Sequence, residues 1–335
     1  MAGPAPRGDS DWEGVRLHIV SGKGGTGKTT VAAAIALALA GHGRRTLLCE
    51  VENRQGIAQL FDSPPLPYEE RKVAVGPSGG DVYALPVDPE DALLEYLEMF
   101  YRLGRAGRGL RRLGAIDFAT TIAPGTRDVL LIGKVFEAVR RRLRGSDQPV
   151  YDAVVLDAPP TGRIARFLGA NAEVAGLARV GPIRGHADSI MRLLRSPQTA
   201  VHLVTLLEEM PVQETTDAVE ELHAAGLPVG AVVVNAVRAP QLRAADLAAA
   251  ARGALDEAEI AAGLAAAGVP SRRGTVEGLV AEAAEHAERV KLEKRERKEI
   301  KELGLPTYDL PYLPQGVDLG ALYGLAQTLS RQGMA

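Results

Sequence analysis

Strand-like and helix-like patterns of apolar and polar residues follow one another along the first part of the chain. Residues 15–20 alternate apolar and polar side chains and predict a strand, and residues 46–51 predict a second, buried strand. Between them lie a glycine-rich turn and a run of Ala, Leu and Ile at 29–40, which predicts a helix that ends at Gly41 and Gly43. This order of elements begins a parallel sheet with right-handed crossovers.

The later part of the chain continues the same pattern. Apolar runs at residues 151–156, 200–206 and 230–234 have the composition of buried strands, and a strand-like segment, TYDLPYL, precedes a short C-terminal helix. At 276–303, apolar residues recur at helical spacing among Glu, Lys and Arg, which predicts a long helix. Together these elements predict an α/β fold with a doubly wound, mainly parallel sheet.

One stretch departs from this alternation, at about residues 62–148. Asp88 is a suitable helix N-cap, and a second helical stretch ends near Leu143. The apolar stripe of the helix after Asp88 consists of Leu93, Leu97, Phe100 and Tyr101. We therefore expect a helical subdomain at about 62–148, inserted into one domain that spans 13–335. Residues 1–12, rich in Pro, Gly, Asp and Ser, are expected to form a disordered tail.

Composition excludes several classes of protein. The 335 residues are 46% hydrophobic and 24% charged, with a net charge of −3, so no basic field attracts nucleic acid. One cysteine, Cys49, forms no intrachain disulfide and cannot build a site of three or four thiolates. No apolar run approaches the ~20 residues of a membrane span, and the first twelve residues lack a signal-peptide core. We expect a cytoplasmic protein without stable membrane insertion.

A glycine-rich loop between the first strand and the first helix carries the most specific chemistry. It satisfies G-x-x-x-x-G-K-[ST] in the strand–loop–helix context that supports such a match. Its backbone N–H groups and the helix N-terminus can hold phosphate, Lys28 is expected to neutralise the β- and γ-phosphates, and Thr29 to offer its hydroxyl to Mg²⁺. The predicted nucleotide-binding residues are Gly22, Gly24, Gly25, Thr26, Gly27, Lys28, Thr29 and Thr30, and Lys23 is a second cation in the loop.

Other polar side chains follow the predicted strands. Asp157 comes directly after the strand at 151–156, where such sheets bind ligands, and is a candidate for holding a Mg²⁺-bound water or else a helix N-cap. Glu50 and Glu52 lie at the end of the second strand, at the same edge of the sheet. Either a carboxylate there orients an attacking water, or both residues are solvated acids of a loop. Asn235 carries an amide that reads adenine or forms an Asx-turn.

Five segments together resemble one known family. They are GKGGTGKTT at 22–30, DAPPTGR at 157–163, ETTDAVEEL at 214–222, VVVN at 232–235 and LPYLPQG at 310–316. They resemble the ArsA-type arsenite-pump and tail-anchored-protein-targeting ATPases, which are dimerising P-loop ATPases with a deviant Walker motif. The segments run from the first strand to the last, so the resemblance covers the whole fold. The single phosphate loop matches a single-repeat, bacterial-type member.

The resemblance implies roles for individual residues. Lys23 is implied to cross a dimer interface to the partner's nucleotide, Glu52 to position water, and Asp157 to be the aspartate of the second switch loop. Asn235 is implied to read adenine, and Pro314 to lie in the loop that closes over the base. The resemblance also implies Mg-ATP hydrolysis by a homodimer, or by a heterodimer with a paralogue. The candidate client is a hydrophobic helix, held by the helical subdomain.

The sequence also departs from the family. The first switch loop of the family reads Asp-Pro-Ala-His, whereas here Glu52 opens it, so that the carboxylate reaches one methylene further and hydrolysis is expected to be slow or differently gated. Arg163 replaces the usual His after the second-switch Thr-Gly. Without a Cys-x-x-Cys, no zinc is expected, and Cys49 alone cannot supply a metalloid site.

Two other functions stay open from the sequence. A Min- or Par-type positioning ATPase would share Lys23, but the C-terminal helix carries one basic residue, Arg331, which is too few for an electrostatic membrane contact. A weakly hydrolysing, nucleotide-gated scaffold paired with a paralogue is consistent with the altered first switch loop. Turnover by the purified chain separates the scaffold from the ATPase.

Overall fold

The computed structural model describes residues 12–41, 43–52, 55–77, 79–101, 125–177, 182–270 and 272–335. The strands are β1 Leu17–Gly22, β2 Arg45–Glu50, β3 Arg71–Val75, β4 Asp81–Pro86, β5 Ala153–Asp157, β6 Thr199–Thr205, β7 Val229–Val237 and β8 Thr307–Pro311. The helices are α1 Lys28–Leu39, α2 Gly56–Leu60, α3 Pro89–Tyr101, α4 Thr126–Arg140, α5 Thr161–Leu177, α6 Pro182–Leu194, α7 Glu209–Ala224, α8 Ala244–Ala251, α9 Glu257–Ala266, α10 Arg273–Glu302 and α11 Leu319–Arg331.

All eight strands belong to one sheet, in the order β3-β4-β2-β5-β1-β6-β7-β8. β3 runs antiparallel to β4, and the other neighbouring strands of the sheet are parallel. The chain passes from β1 to one side of the sheet and later returns to its other side, so crossovers leave in both directions from the centre. The predicted doubly wound, mainly parallel sheet is confirmed, and ligands of such sheets bind at the carboxyl ends of the strands.

Helices cover both faces of the sheet because successive strand residues are apolar on both sides. Ile19 belongs to a core with residues of α3 to α7, and the next residue, Val20, belongs to a core with α1, α2 and α11. Ile300 of α10 contributes to a smaller core near one edge of the sheet. The central strands are thus fixed from both sides, which gives a rigid base for the loops at their carboxyl ends.

The predicted insertion at about 62–148 is wrong over residues 71–86. This stretch forms β3 and β4, and β4 pairs in parallel with β2 as part of the main sheet. Val82 and Ala84 are buried at alternate positions of β4, a period of two that the sequence interpretation missed. The helical part begins with α3 at Pro89, and residues 102–124 of the predicted insertion lie outside the described residues.

The predicted tail also ends earlier than residue 12. The indole Nε1 of Trp12 donates to the hydroxyl of Tyr308 in β8 at 2.9 Å, and its ring meets the edge of His202 in β6. Trp12 is therefore part of the folded domain, whereas residues 1–11 lie outside the described residues. Among the helices of the described residues, none combines the length and apolar character that crossing a membrane requires.

Candidate active site

The phosphate loop leaves β1 at the centre of the sheet and enters α1 at Lys28. Gly25 and Gly27 have φ angles of 90° and 88°, which favour glycine. A Cβ at Gly22 would collide with the carbonyl of Val204, and one at Gly27 would collide with the side chain of Asn235. Glycine is thus required at these positions by backbone angle or by space, and a loop of this kind can turn backbone N–H groups toward an anion.

Thr29, in the first turn of α1, contacts the carboxyl end of β5. Its Oγ1 donates to Oδ2 of Asp157 at 2.7 Å. Asp157 is 7% exposed, and its pKa is raised to about 6. Burial is the main cause, Glu50 and Glu52 also raise the pKa, and Thr29 and Lys28 oppose the shift. In the described part of the chain, no hydrogen-bond partner reaches Asp157 Oδ1. A buried carboxylate beside a hydroxyl is a fitting oxygen donor set for Mg²⁺.

Glu50 closes β2 next to Asp157, and the two residues are direct partners in the parallel register of β2 and β5. Glu50 is 3% exposed, and its Oε1 accepts from the backbone N–H of Gly56 at 2.9 Å. The turn before Gly56 depends on Gln55, which has a φ of 55° and whose amide bonds the backbone of Leu66. The sequence analysis mentioned Glu50 but did not include it among the predicted site residues. Its position as the last residue of a central strand is the signal that could have identified it.

Glu52 lies beyond the end of β2 and is half-buried. It contributes to raising the pKa of Asp157, so its negative charge acts on the same buried carboxyl as that of Glu50. The strand predicted over 46–51 ends at Glu50, so Glu52 belongs to the loop that follows β2. Residues 53 and 54 of the first switch loop lie outside the described residues.

The second switch loop, residues 157–163, is fixed to its neighbours along its length. Ser21 Oγ donates to the carbonyl of Pro159 at 2.6 Å. Thr161 Oγ1 donates to Glu214 Oε2 at 3.1 Å, and the guanidinium of Arg163 lies 3.9 Å from the carboxylate of Asp128 on α4. These contacts connect the loop to β1, α7 and α4.

Lys23 does not extend away from its own chain. Its ammonium forms an ion pair with Glu214 Oε1 on α7. The sequence interpretation included Glu214 within a matching segment but gave it no role.

Asn235 lies on the far side of the phosphate loop from Asp157. Its Nδ2 donates to the carbonyl of Thr26 at 2.9 Å. The pairing of β7 with β8 shifts between Val234 and Val237, and Ala236 has a φ of 54°, so a bulge turns the chain at this point. This bulge places the predicted adenine-reading residue against the loop.

A pocket of about 330 Å³ opens between Asn235, the phosphate loop and Tyr312, and is called the inner pocket here. The guanidinium carbon of Arg238 lies 4.4 Å from the ring centroid of Tyr312, a cation–π contact. Pro314 does not line the inner pocket; it lines a neighbouring outer pocket of about 720 Å³, which Tyr312 borders as well. Tyr312 is the residue of this loop that sequence reasoning missed, although an aromatic ring two residues before Pro314 was a visible signal.

Fold and site together define a P-loop ATPase: a parallel sheet with the glycine loop at the end of its central strand, and a hydroxyl and a carboxylate beside the loop. The chain belongs to the ArsA family, because the family model described as anion-transporting ATPase matches residues 15–196. The ATPase BagA of Mycobacterium tuberculosis is 54% identical over 96% of this chain and 94% of its own length. The ATPase GET3 of Kluyveromyces lactis is 26% identical over 66% of this chain and 71% of its own.

The predicted membership of the ArsA-like family and the predicted ATPase activity are thereby confirmed. The phosphate loop and the second switch loop lie within the matched region, and Asn235, Tyr312 and Pro314 lie outside it. The roles of individual residues are proposals that rest on the contacts described above.

Proposed function

We propose that the chain is a dimeric switch that couples Mg-ATP turnover to the binding and release of a partner. The observation that carries the proposal is the contact between Thr29 and Asp157, directly beside the phosphate loop. It joins the residue that follows the phosphate-binding Lys28 to the beginning of the second switch loop. A change at the phosphates therefore has a direct route to the loop that holds α5 and contacts α4.

The reaction is attack of water on the γ-phosphorus of ATP. A bond forms from the water oxygen to phosphorus, and the bond to the bridging oxygen of ADP breaks. Lys28 and the N–H groups of the phosphate loop stabilise the charge that builds on the phosphate oxygens. Glu52 orients the water and accepts its proton. Asp157 and Thr29 would hold Mg²⁺, which supplies charge neutralisation at the phosphates when it is bound.

The base of ATP fits the inner pocket. Asn235 uses one amide hydrogen on Thr26, which leaves its second hydrogen and its oxygen to read the amino group and ring nitrogen of adenine. Tyr312 offers a ring for stacking at the mouth of the same pocket. The proposed base site thus contains Asn235 and Tyr312, with Pro314 further out.

The proposed contacts with a second subunit and with a client rest on the family resemblance and on the positions of Lys23 and of the helices α3 and α4. Lys23 lies at the open carboxyl edge of the sheet, where a second subunit, identical or paralogous, can meet it. A hydrophobic helix is the candidate client of the helical layer formed by α3 and α4. Leu93 is partly buried against the core, and Leu103, Leu110 and Leu113, apolar residues of the predicted helical subdomain, lie outside the described residues.

One experiment with two variants tests the function. In Lys28→Ala we expect ATP turnover to fall by on the order of 10² or more, together with ATP affinity, since the charge at the phosphates is lost. In Glu52→Gln we expect ATP binding to persist while turnover falls by about 10², the usual contribution of a general base. Phosphate release and equilibrium ATP binding are measured for both variants.

Lys291→Ala serves as the matched control, because Lys291 is a 76% exposed lysine on α10 that does not line the inner pocket. The ATP-trapped Glu52→Gln protein is then analysed by sedimentation with and without Mg-ATP. Unchanged turnover in Lys28→Ala would refute the assignment. A Glu52→Gln protein that binds ATP and stays monomeric, alone and with candidate paralogues, would refute the dimeric switch.

A further inference from the structure

The side chain of Lys23 is held by two elements of its own chain. Glu214 on α7 pairs with the Lys23 ammonium through Oε1, and its Oε2 accepts the Thr161 hydroxyl at 3.1 Å. Thr161 is 2% exposed and begins α5, so its position is fixed by packing. With both oxygens engaged, the Glu214 carboxylate has a defined orientation toward the phosphate loop.

The backbone of Lys23 is fixed independently of this ion pair. Its carbonyl accepts from the backbone N–H of Thr26 at 3.3 Å and from Thr26 Oγ1 at 2.9 Å. Both bonds close a turn within the loop and involve no atom of the lysine side chain. The side chain of Lys23 can therefore leave Glu214 without any refolding of the phosphate loop.

The ion pair is also weak enough to be exchanged. The side chains of Lys23 and Glu214 are 31% and 33% exposed, and ion pairs with this access to water contribute little to stability. A nucleotide triphosphate offers several negative charges and charge-assisted hydrogen bonds, which a single carboxylate does not match. A phosphate within reach of the ammonium would therefore displace Glu214.

We propose that Glu214 is a positioning residue: it keeps Lys23 paired within its own chain and releases it to the nucleotide phosphate of a second subunit. This proposal rests on the proposed dimeric switch. It adds that Glu214 competes with the nucleotide phosphate for Lys23. When Lys23 leaves, Glu214 keeps Thr161 as its remaining partner in this group. The loss of the Lys23 contact thus affects a carboxylate that is bonded to the start of α5, four residues after Asp157.

The first test measures the accessibility of Lys23 in nucleotide-free protein. The amine is acylated under limiting reagent, and its rate is read by peptide mass spectrometry against exposed Lys291 in the same sample. Glu214→Gln keeps an oxygen for Thr161 but removes the charge. We therefore expect acylation of Lys23 to be about two- to fivefold faster, which corresponds to the loss of an ion pair that is one-third exposed.

Variants of the same region separate this effect from a general loosening. Glu220→Gln removes an exposed carboxylate from the same helix and is expected to leave the rate unchanged. Thr161→Val should give part of the increase, because Glu214 loses its anchor, and Thr161→Ser should restore the wild-type rate. Equal acylation of Lys23 in wild type and Glu214→Gln would overturn the proposal.

The second test measures the exchange itself. With Mg-ATP, we expect the protein concentration of half-maximal turnover to fall about two- to fivefold in Glu214→Gln, while kcat changes by less than about twofold. The shift should vanish when Glu214→Gln is combined with Lys23→Ala, since the effect acts through the lysine. A kcat loss without the shift would overturn the exchange. Wild-type protein without ATP turnover would refute the proposed function, and acylation would still decide the pairing.

Discussion

The phosphate end and the base end of the site differ in how the chain builds them. At the phosphate end, a run of nine residues, 22–30, supplies the glycine turn, the lysine and the hydroxyl, and Asp157 is 7% exposed beneath it. At the base end, Asn235 lies in β7 and Tyr312 directly follows β8, and Tyr312 is 44% exposed. One end is compact and local in sequence, and the other is open and assembled from distant segments.

This difference indicates how binding energy is divided between the ends. Charge-assisted contacts to phosphate are about twice as strong as neutral hydrogen bonds, and they gain further in a buried setting. Neutral contacts to a base in an open pocket contribute less and mainly determine which base is accepted. Binding of ATP and of inorganic triphosphate separates the two ends, because triphosphate occupies the phosphate end alone.

The largest effect is expected from Gly27→Ala. Gly27 has a φ of 88°, and an added Cβ would collide with the Asn235 amide. The strain of about 1–3 kcal/mol and the displaced amide together disrupt both ends. We expect affinity for ATP and for triphosphate to fall by on the order of 10², measured by calorimetry.

Gly24→Ala is the matched control for this prediction. Gly24 lies in the same loop, and a Cβ there would meet open space. We expect this variant to lose less than about threefold in affinity, because neither clash nor left-handed strain arises. Equal losses in the two variants would show that the loop tolerates no side chain anywhere, and that the contact between Gly27 and Asn235 has no special role.

The phosphate end could be predicted from the sequence because its parts are adjacent in the chain. A strand, five loop residues and a helix are sufficient to define it, and the strand that ends at Asp157 is a local apolar pattern. The sequence did not reveal that Glu50 lies beside Asp157, since the register of β2 and β5 depends on packing of the whole sheet. The assignment of β3 and β4 to a helical insertion has a different cause, because the alternate buried positions Val82 and Ala84 of β4 were a local pattern that the sequence interpretation missed.

The base end could be predicted only in part. Asn235 was selected as the residue that closes an apolar run, but its contact with Thr26 depends on the bulge at Ala236, which no local pattern indicates. Pro314 was favoured over Tyr312 because the resemblance concerned the loop as a whole. Which residue of a loop faces a pocket depends on where β8 ends relative to β7, and that is a tertiary property.

An intermediate effect is expected from Asn235→Ala, which acts at both ends. Loss of the bond to Thr26 and of the contacts to the base removes about two neutral hydrogen bonds, so we expect ATP affinity to fall about tenfold. Triphosphate affinity should fall about threefold, because the Thr26 bond shapes the loop. Asn235→Asp replaces the donor by an acceptor that faces a carbonyl, so this variant should bind ATP at least as weakly as Asn235→Ala. An aspartate variant that binds ATP like wild type would contradict the role of the amide donor.

The smallest effect is expected from Tyr312→Ala, and it tests the base end alone. Loss of a stacking ring at an open pocket corresponds to about 1 kcal/mol, or about fivefold in ATP affinity. Triphosphate affinity should be unchanged, since Tyr312 lies beyond the phosphate loop. Tyr312→Phe keeps the ring and should bind like wild type, and Pro314→Ala should change ATP affinity by less than about twofold, because Pro314 lines the outer pocket. If Pro314→Ala lowered the affinity for ATP more than Tyr312→Ala, the base would extend into the outer pocket. The assignment of the inner pocket to adenine would then be wrong.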